Sequence, residues 1–281
     1  MNRRTFRRFR SNAMVALMMA AVVVAVLPLF LILASLILKG AGSLSVAFFT
    51  RVPVPAGESG GGVMHGIMGT LMIVGVASLV GIPIGMGAGI HCAEYPGSRL
   101  STVTRFLSDV LNGTPSIVVG VFAWTFIVAK QGHFSALAAS AALAILMVPM
   151  VMRTTEELVK LVPVSLREAA LALGYSRWRT SLSIAVRTAL PGLVTGILLA
   201  VARVAGETAP LLFTALGNEF LSWDLNAPMA ALPLVVFKYA TGPYAEWHQF
   251  AWAAALVLIV VVFVLSLLAR LATRQRFRAN G

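Results

Sequence analysis

The chain has 281 residues, 59% of them hydrophobic and 11% charged, with a mean hydropathy of +0.89. Soluble domains average about 45–50% apolar and about 25% charged residues, so a water-soluble globular enzyme and a disordered chain are both excluded. The formal charge of +12 does not point to nucleic acid, because the bases lie in clusters between long apolar runs, and the single cysteine, Cys92, leaves neither a disulfide framework nor a CxxC metal site.

A basic head, residues 1–12, holds Arg3, Arg4, Arg7, Arg8 and Arg10 and leads into the apolar run Ala13–Leu38. Arg3-Arg4-Thr5-Phe6 resembles the start of a twin-arginine export signal. The apolar core of a signal is only about 7–15 residues long, so this much longer run reads as a retained first transmembrane helix, residues 13–38. Further apolar runs follow at Met64–Ile90, Phe106–Ala129, Ser135–Met152, about Ala189–Ala205 and about Phe250–Ala269, before a basic tail over residues 271–281. Crossing about 30 Å of hydrocarbon at 1.5 Å per residue takes roughly 20 residues, which these runs meet or approach. The expectation is an all-α integral membrane protein with six transmembrane helices, since nothing in the sequence alternates as a barrel strand does.

The distribution of Lys and Arg sets the orientation. The head, the loop His91–Arg105, the loop over residues 153–187 and the tail carry most of the bases, whereas the other side has Lys39, Arg51, Lys130 and Lys238. Both termini are therefore expected in the cytoplasm. Trp223, Tyr239, Tyr244, Trp247 and Trp252 then form an outer aromatic belt. Within the runs, Gly81, Gly85 and Gly89 make a small-residue stripe that lets another helix approach closely, and Gly192 and Gly196 repeat it. Pro28, Pro83, Pro115, Pro149 and Pro191 place one proline in each of the first five spans, where kinks are ordinarily tolerated.

The loop over residues 153–187 is the longest connection on the basic side. After Pro163, Ser165-Leu166-Arg167-Glu168 reads as a capping box: Ser165 Oγ accepts from the Glu168 amide, and the Glu168 carboxylate reaches back to the Ser165 amide. Ala169 to Leu173 are strong helix formers, and Gly174 supplies the positive φ of a helix stop. The product is a short helix outside the membrane, slim enough at Ala169 and Ala170 to enter a groove on another protein.

Three ionisable residues, Asp109, Arg203 and Glu207, fall at or near membrane depth, where each costs about 2.5–3.5 kcal/mol on insertion scales. Arg203 and Glu207 stand four apart and could neutralise one another. Alternatively, Arg203 faces a central pathway and offers its planar donor fork to an oxyanion, with the Thr208 hydroxyl as a neutral donor. A second polar cluster lies at Asn112-Gly113-Thr114-Pro115-Ser116. Pro115 withholds an N–H and frees the carbonyl of Leu111, and Asn112, Thr114 and Ser116 either satisfy that backbone or line a passage. His65, His91, His133 and His248 are too scattered for a metalloenzyme motif, and no Gly-x4-Gly-Lys phosphate loop is present.

Glu168-Ala169-Ala170-x3-Gly174 resembles the EAA loop of ABC importer permeases, although Ile184-Ala185-Val186-Arg187 stands where many members have Ile-x-Leu-Pro and only Ile184 matches. Asn112 to Gly120 is similar to the third-span motif of phosphate importer permeases. Ala202 to Thr214, reading Ala-Arg-Val-Ala-Gly-Glu-Thr-Ala-Pro-Leu-Leu-Phe-Thr, resembles the signature of their PstA-type subunits. The resemblance covers residues 64–270. It implies a MetI-like permease bundle of six helices with a cytoplasmic coupling helix, working in an ATP-driven importer of inorganic phosphate. It also implies partners: a homologous PstC-type permease, two PstB-type ATPase subunits that bind ATP and Mg, a PstS-type phosphate-binding protein outside, and membrane lipid, with no nucleic acid. On this view the chain is not an enzyme and holds no cofactor. Arg203, Glu207, Thr208, Asn112, Thr114 and Ser116 would serve the pathway, and Ser165, Glu168, Ala169, Ala170 and Gly174 the ATPase contact. The segments Lys39–Val63 and Gly206–Gln249 would receive the binding protein. Alternatives are an ABC permease for sulfate or molybdate, or a passive anion channel.

Overall fold

The computed structural model describes residues 3–55, 58 and 60–278, so the first two residues of the basic head and the last three of the tail lie outside the described residues. Helix α1 (Arg3–Gly40) takes up the rest of the head and the first apolar run, continuing through Pro28. The head is therefore the opening of α1 rather than a separate unit, because a nucleated helix extends at the gain of one hydrogen bond per residue. Helix α2 (Val46–Thr50) is capped by Ser45, whose Oγ accepts from the Phe48 amide at 3.2 Å. Helix α3 (Met64–Glu94) crosses next, and α4 (Arg99–Gly113) starts on Ser98, whose Oγ accepts from the Ser101 amide at 3.0 Å. Helix α5 (Ser116–Ala123), a π turn (Trp124–Val128) and α6 (Ala129–Gln131) run on to Gly132 at φ +77°. Helix α7 (Ala136–Lys160) returns. Helix α8 (Val164–Ala172), α9 (Arg177–Thr180) and a second π turn (Ser181–Ala185) lead into α10 (Val186–Ala205). Helices α11 (Ala209–Thr214) and α12 (Leu232–Thr241) are short, and α13 (Ala245–Arg278) closes the bundle.

Five helices are long and apolar enough to cross a membrane, and the pair α4 with α5–α6 makes a sixth pass that is bent by 103°. The third span is thus not the continuous helix that its apolar run suggests. Four prolines sit inside unbroken helices, at positions 28, 83, 149 and 191. Pro115 differs because it follows Asn112, Gly113 and Thr114, three poor helix formers in a row. A residue before proline avoids the helical region, and Thr114 is extended at φ −78° and ψ 130°.

The centre of the bundle is α7. Cβ atoms built on Gly81, Gly85 and Gly89 of α3 would fall 3.2 Å from Met147 Cβ, 2.8 Å from Val151 Cβ and 2.5 Å from the Met152 carbonyl oxygen, so the glycine stripe lies directly on α7. Gly192 and Gly196 of α10 meet Leu158 and Thr154 on α7 in the same way. Ile73, Ala77, Leu143, Met147, Val151 and Val204 fill the core between them. Lipid is as apolar as these side chains, so close backbone approach and interhelical hydrogen bonds must hold the contact. Ser140 Oγ supplies one, donating to the Ile73 carbonyl at 3.1 Å, and Ser108 Oγ of α4 donates to that of Pro149 at 3.3 Å. At the end of the bundle remote from α8, amides that begin α7 lack intrahelical partners. Ser135, Ala136 and Leu137 there donate to the carbonyls of Thr214, Leu225 and Ala227 in crossed order, at 2.9–3.1 Å. Helix α1 packs mainly on α13, where Gly40 lies against the Trp252 backbone, and its remaining apolar face is exposed.

Candidate functional site

The short helices that follow two polar clusters far apart in sequence meet at one glycine. A Cβ on Gly120 of α5 would lie 2.6 Å from Cα of Pro210 on α11, so the helices touch backbone to backbone. The segment Asn112–Ser116 leads into α5, and Arg203–Thr208 leads into α11, so this contact holds both segments beside the same crossing. Asn112 is exposed at the end of α4, and Ser116 is half-buried in the first turn of α5. The Thr114 hydroxyl donates back to the Val110 carbonyl at 2.8 Å and so serves its own helix. The Leu111 carbonyl, expected to be free, accepts from the Thr114 amide at 3.2 Å because the chain tightens into a turn before the proline.

Arg203 is exposed and Glu207 half-buried. No ion pair joins them among the described residues. Helix α10 ends at Ala205, and the Gly206 and Glu207 amides turn back to the carbonyls of Arg203 and Val204, both at 3.1 Å. The regular four-residue spacing that would bring the charges together is therefore absent. Arg203 lies instead in the last turn of α10, where the helix dipole favours a cation. Thr208 precedes α11 without its side chain capping the helix. Asp109 lies on an exposed face 3.9 Å from Arg153, which is also 3.3 Å from Glu157.

The short helix of the basic loop is α8, and its start differs from the expected capping box. Pro163, with extended ψ of 136°, occupies the N-cap position, so Ser165 falls inside the first turn and caps nothing. The stop is as the glycine suggests. Gly174 takes φ +83°, its amide donates to the Leu171 carbonyl at 2.9 Å, and the Tyr175 amide donates to that of Ala170 at 3.1 Å. That pair of bonds is a Schellman motif. Ala170 and Arg167 turn toward the bundle, whereas Ser165, Glu168 and Ala169 are exposed. Leu161, Val164, Leu173 and Trp178 present an uncovered apolar surface beside them, each between 66% and 79% exposed.

The family description "binding-protein-dependent transport system inner membrane component" matches residues 81–278. The chain is 47% identical over 269 residues to the phosphate transport system permease protein PstA of Yersinia pestis, covering 95% of this chain and 91% of that one. It is 45% identical over 267 residues to the protein of the same name from Haemophilus influenzae, covering 95% and 94%. The chain belongs to this permease family, in its PstA branch. In fold it is similar to a chain of a bacterial alginate ABC transporter, with a TM-score of 0.69 at 13% identity over 97% of this chain and 98% of that one. It is also similar to a chain of the inward-facing MetNI methionine ABC transporter, with a TM-score of 0.65 at 19% identity over 76% and 95%. As the permease component of an ABC system, the chain is a non-catalytic, multi-pass membrane subunit. Permeases of this family work with ATPase and binding-protein partners.

The permease also carries an ionic cluster that the sequence reading does not single out. Glu156 of α7 is buried and receives Arg105 Nε at 2.7 Å and Lys160 Nζ, four residues on. Arg105 further donates to the carbonyls of Cys92 at 2.8 Å and Pro96 at 3.0 Å, so one side chain ties α4 to α7 and to the end of α3. The spacing of Glu156 and Lys160 is a readable signal, but the cross-chain partner is not. At the other end a cavity of about 390 Å³ is lined by His65, Asn218, Tyr239 and the ion pair of Glu219 with Lys238.

Proposed function

We propose that this permease forms one half of the membrane pathway of an ATP-driven importer that carries inorganic phosphate into the cytoplasm. The observation that carries the reading is the Gly120–Pro210 contact, which joins the helix that follows the polar bend at Asn112–Ser116 to the one that follows Arg203, a residue with no ion-pair partner among the described residues. A guanidinium keeps its charge at every physiological pH, and its fork matches tetrahedral oxyanions. Thr208 and Ser116 donate weaker contacts, Glu207 accepts from a protonated phosphate oxygen, and weak contacts at several points allow an ion to leave as readily as it enters. In this reading the clustered bases place the termini and α8 in the cytoplasm. Helix α8, with Glu168, Ala169 and its uncovered apolar neighbours, docks in a groove of a PstB-type ATPase, which binds ATP and Mg. A PstC-type permease completes the pathway, and a PstS-type protein delivers phosphate at the opposite face. The names and identities of the relatives support phosphate over sulfate or molybdate.

The test is reconstitution of the chain with these partners in vesicles, with radioactive phosphate and sulfate offered outside. Phosphate uptake that requires ATP is expected. Arg203→Gln should assemble normally and lose about 1.5–3 kcal/mol of charge-assisted contact, roughly a 10- to 150-fold fall in uptake. Uptake of sulfate in preference to phosphate, or full uptake by Arg203→Gln, contradicts the reading.

A further inference from the structure

Helix α8 lies against the π turn Ser181–Ala185, and most of its side chains are exposed. Of its side chains, Ala170 is buried and Arg167 half-buried, while the others are exposed. Ala170 packs there but has no polar group with which to bond another helix. Arg167 has one. Its Nη1 meets the Glu94 carboxylate at the end of α3, and its Nη2 donates to the Val159 carbonyl near the end of α7 at 2.7 Å. Both partners of the ion pair have side chains only 19% exposed, so solvent screens the contact less than it would a surface pair. The guanidinium is planar, and its two terminal nitrogens occupy two acceptors on different helices at once. An ammonium at the same position would be a point charge without that fork. The helices it grips are the two joined by the glycine stripe, which close packing makes move as one body.

We propose that Arg167 is the positioning residue that transmits movement of α8 to the joined ends of α3 and α7, acting as a two-point clamp with Glu94 and the Val159 carbonyl. The proposal rests on the import reading above. The clamp lies on the side of α8 facing the bundle, opposite the surface assigned to the ATPase. Its loss therefore leaves docking and hydrolysis in place and disconnects them from transport.

The experiment compares wild type, Arg167→Gln, Glu94→Gln and the double variant in the full reconstituted complex. Phosphate taken up per ATP hydrolysed is measured, together with the mobility of a nitroxide on Ala172→Cys, which lies exposed on α8 while the native Cys92 is buried. Uptake per ATP should fall about tenfold in Arg167→Gln and less in Glu94→Gln, which leaves the Val159 bond in place; the double variant should fall no further than Arg167→Gln, because loss of the guanidinium already cuts both points. The nitroxide should become mobile in all three. An unchanged uptake-to-ATP ratio in either single variant overturns the clamp. So does loss of the ATPase from the complex, which would make Arg167 a docking residue, and so does failure of both isosteric variants to assemble. If the wild-type complex hydrolyses ATP but moves no phosphate, the import reading fails, and the nitroxide alone decides the clamp.

Discussion

Gly120 is the position where a single methyl group tests the arrangement most directly. Carbon atoms in contact settle about 3.5–4.0 Å apart, so a Cβ lying 2.6 Å from Pro210 Cα needs the helices to part by about 1 Å. Nothing local can yield: the obstructing atoms are the Pro210 backbone and its ring, with the carbonyl oxygen at 3.2 Å and Cβ at 3.3 Å. Overpacking of this kind costs about 1–3 kcal/mol, with the upper part of the range applying where no rotamer offers escape. Alanine returns about 1 kcal/mol of helix propensity, which leaves a net penalty of about 2 kcal/mol on the α5–α11 contact. At 1.4 kcal/mol per decade, that shifts the closed arrangement roughly 30-fold. Gly75→Ala is the control, because its Cβ meets nothing within 4 Å and should be neutral or mildly stabilising. The assay is ATP-dependent phosphate uptake normalised to assembled complex, with thermal stability in detergent alongside. If Gly120→Ala matches Gly75→Ala in both, the two polar segments are not held together by this contact and the pathway reasoning fails.

Two further substitutions probe the basic end. Glu156→Gln keeps the shape but strips the charge shared by Arg105 and Lys160; it should lower stability by about 2–3 kcal/mol, below the full cost of a broken buried pair because Arg105 keeps two carbonyl bonds, and an unchanged unfolding temperature would argue against an ionic tie. Gly174→Ala should loosen the end of α8 by about 1–2 kcal/mol, seen as roughly 5- to 30-fold faster tryptic cleavage at Arg177 and Arg179, since φ +83° strains any Cβ although nothing lies within 4 Å of it. Gly174→Asn should cleave close to wild type, because asparagine tolerates the left-handed region, and equal cleavage of the alanine and asparagine forms would show that strain does not set the stop.

The sequence reading reached the features that depend on local chemistry. The four-residue spacing of Gly81, Gly85 and Gly89 forecast a close approach, and the structure shows α7 against that face. Gly174 forecast a helix stop, and it takes the positive φ. What the sequence did not reveal depends on competition between neighbours or on distance. Pro163 takes the cap position from Ser165, because an extended proline starts the helix earlier than the Ser-x-x-Glu pattern implies. Gly206 ends α10 before Glu207 can lie over Arg203. Five prolines look alike in the apolar runs, yet only Pro115 breaks its helix, since it alone follows Asn-Gly-Thr. Glu94 and Arg167 stand 73 positions apart, and no periodicity connects residues so distant.

The position of α4 links these observations. At its middle, Arg105 fixes it to the Cys92 carbonyl at the end of α3, to the Pro96 carbonyl just beyond, and to Glu156 on α7. At its finish comes the 103° bend, followed by α5 and its glycine contact with α11. Helices α3 and α7 cannot absorb a displacement between them, because their backbones already touch along the glycine stripe and packed interfaces shift in steps rather than stretch. On the clamp proposal, a push delivered through Arg167 to the ends of α3 and α7 would pass to α4 through Arg105. The next compliant point along that route is the turn at Thr114 and Pro115, where no helical hydrogen bond spans the break. Asn112, Thr114 and Ser116 flank that turn, so they sit where a displacement passed along α4 would become a rotation.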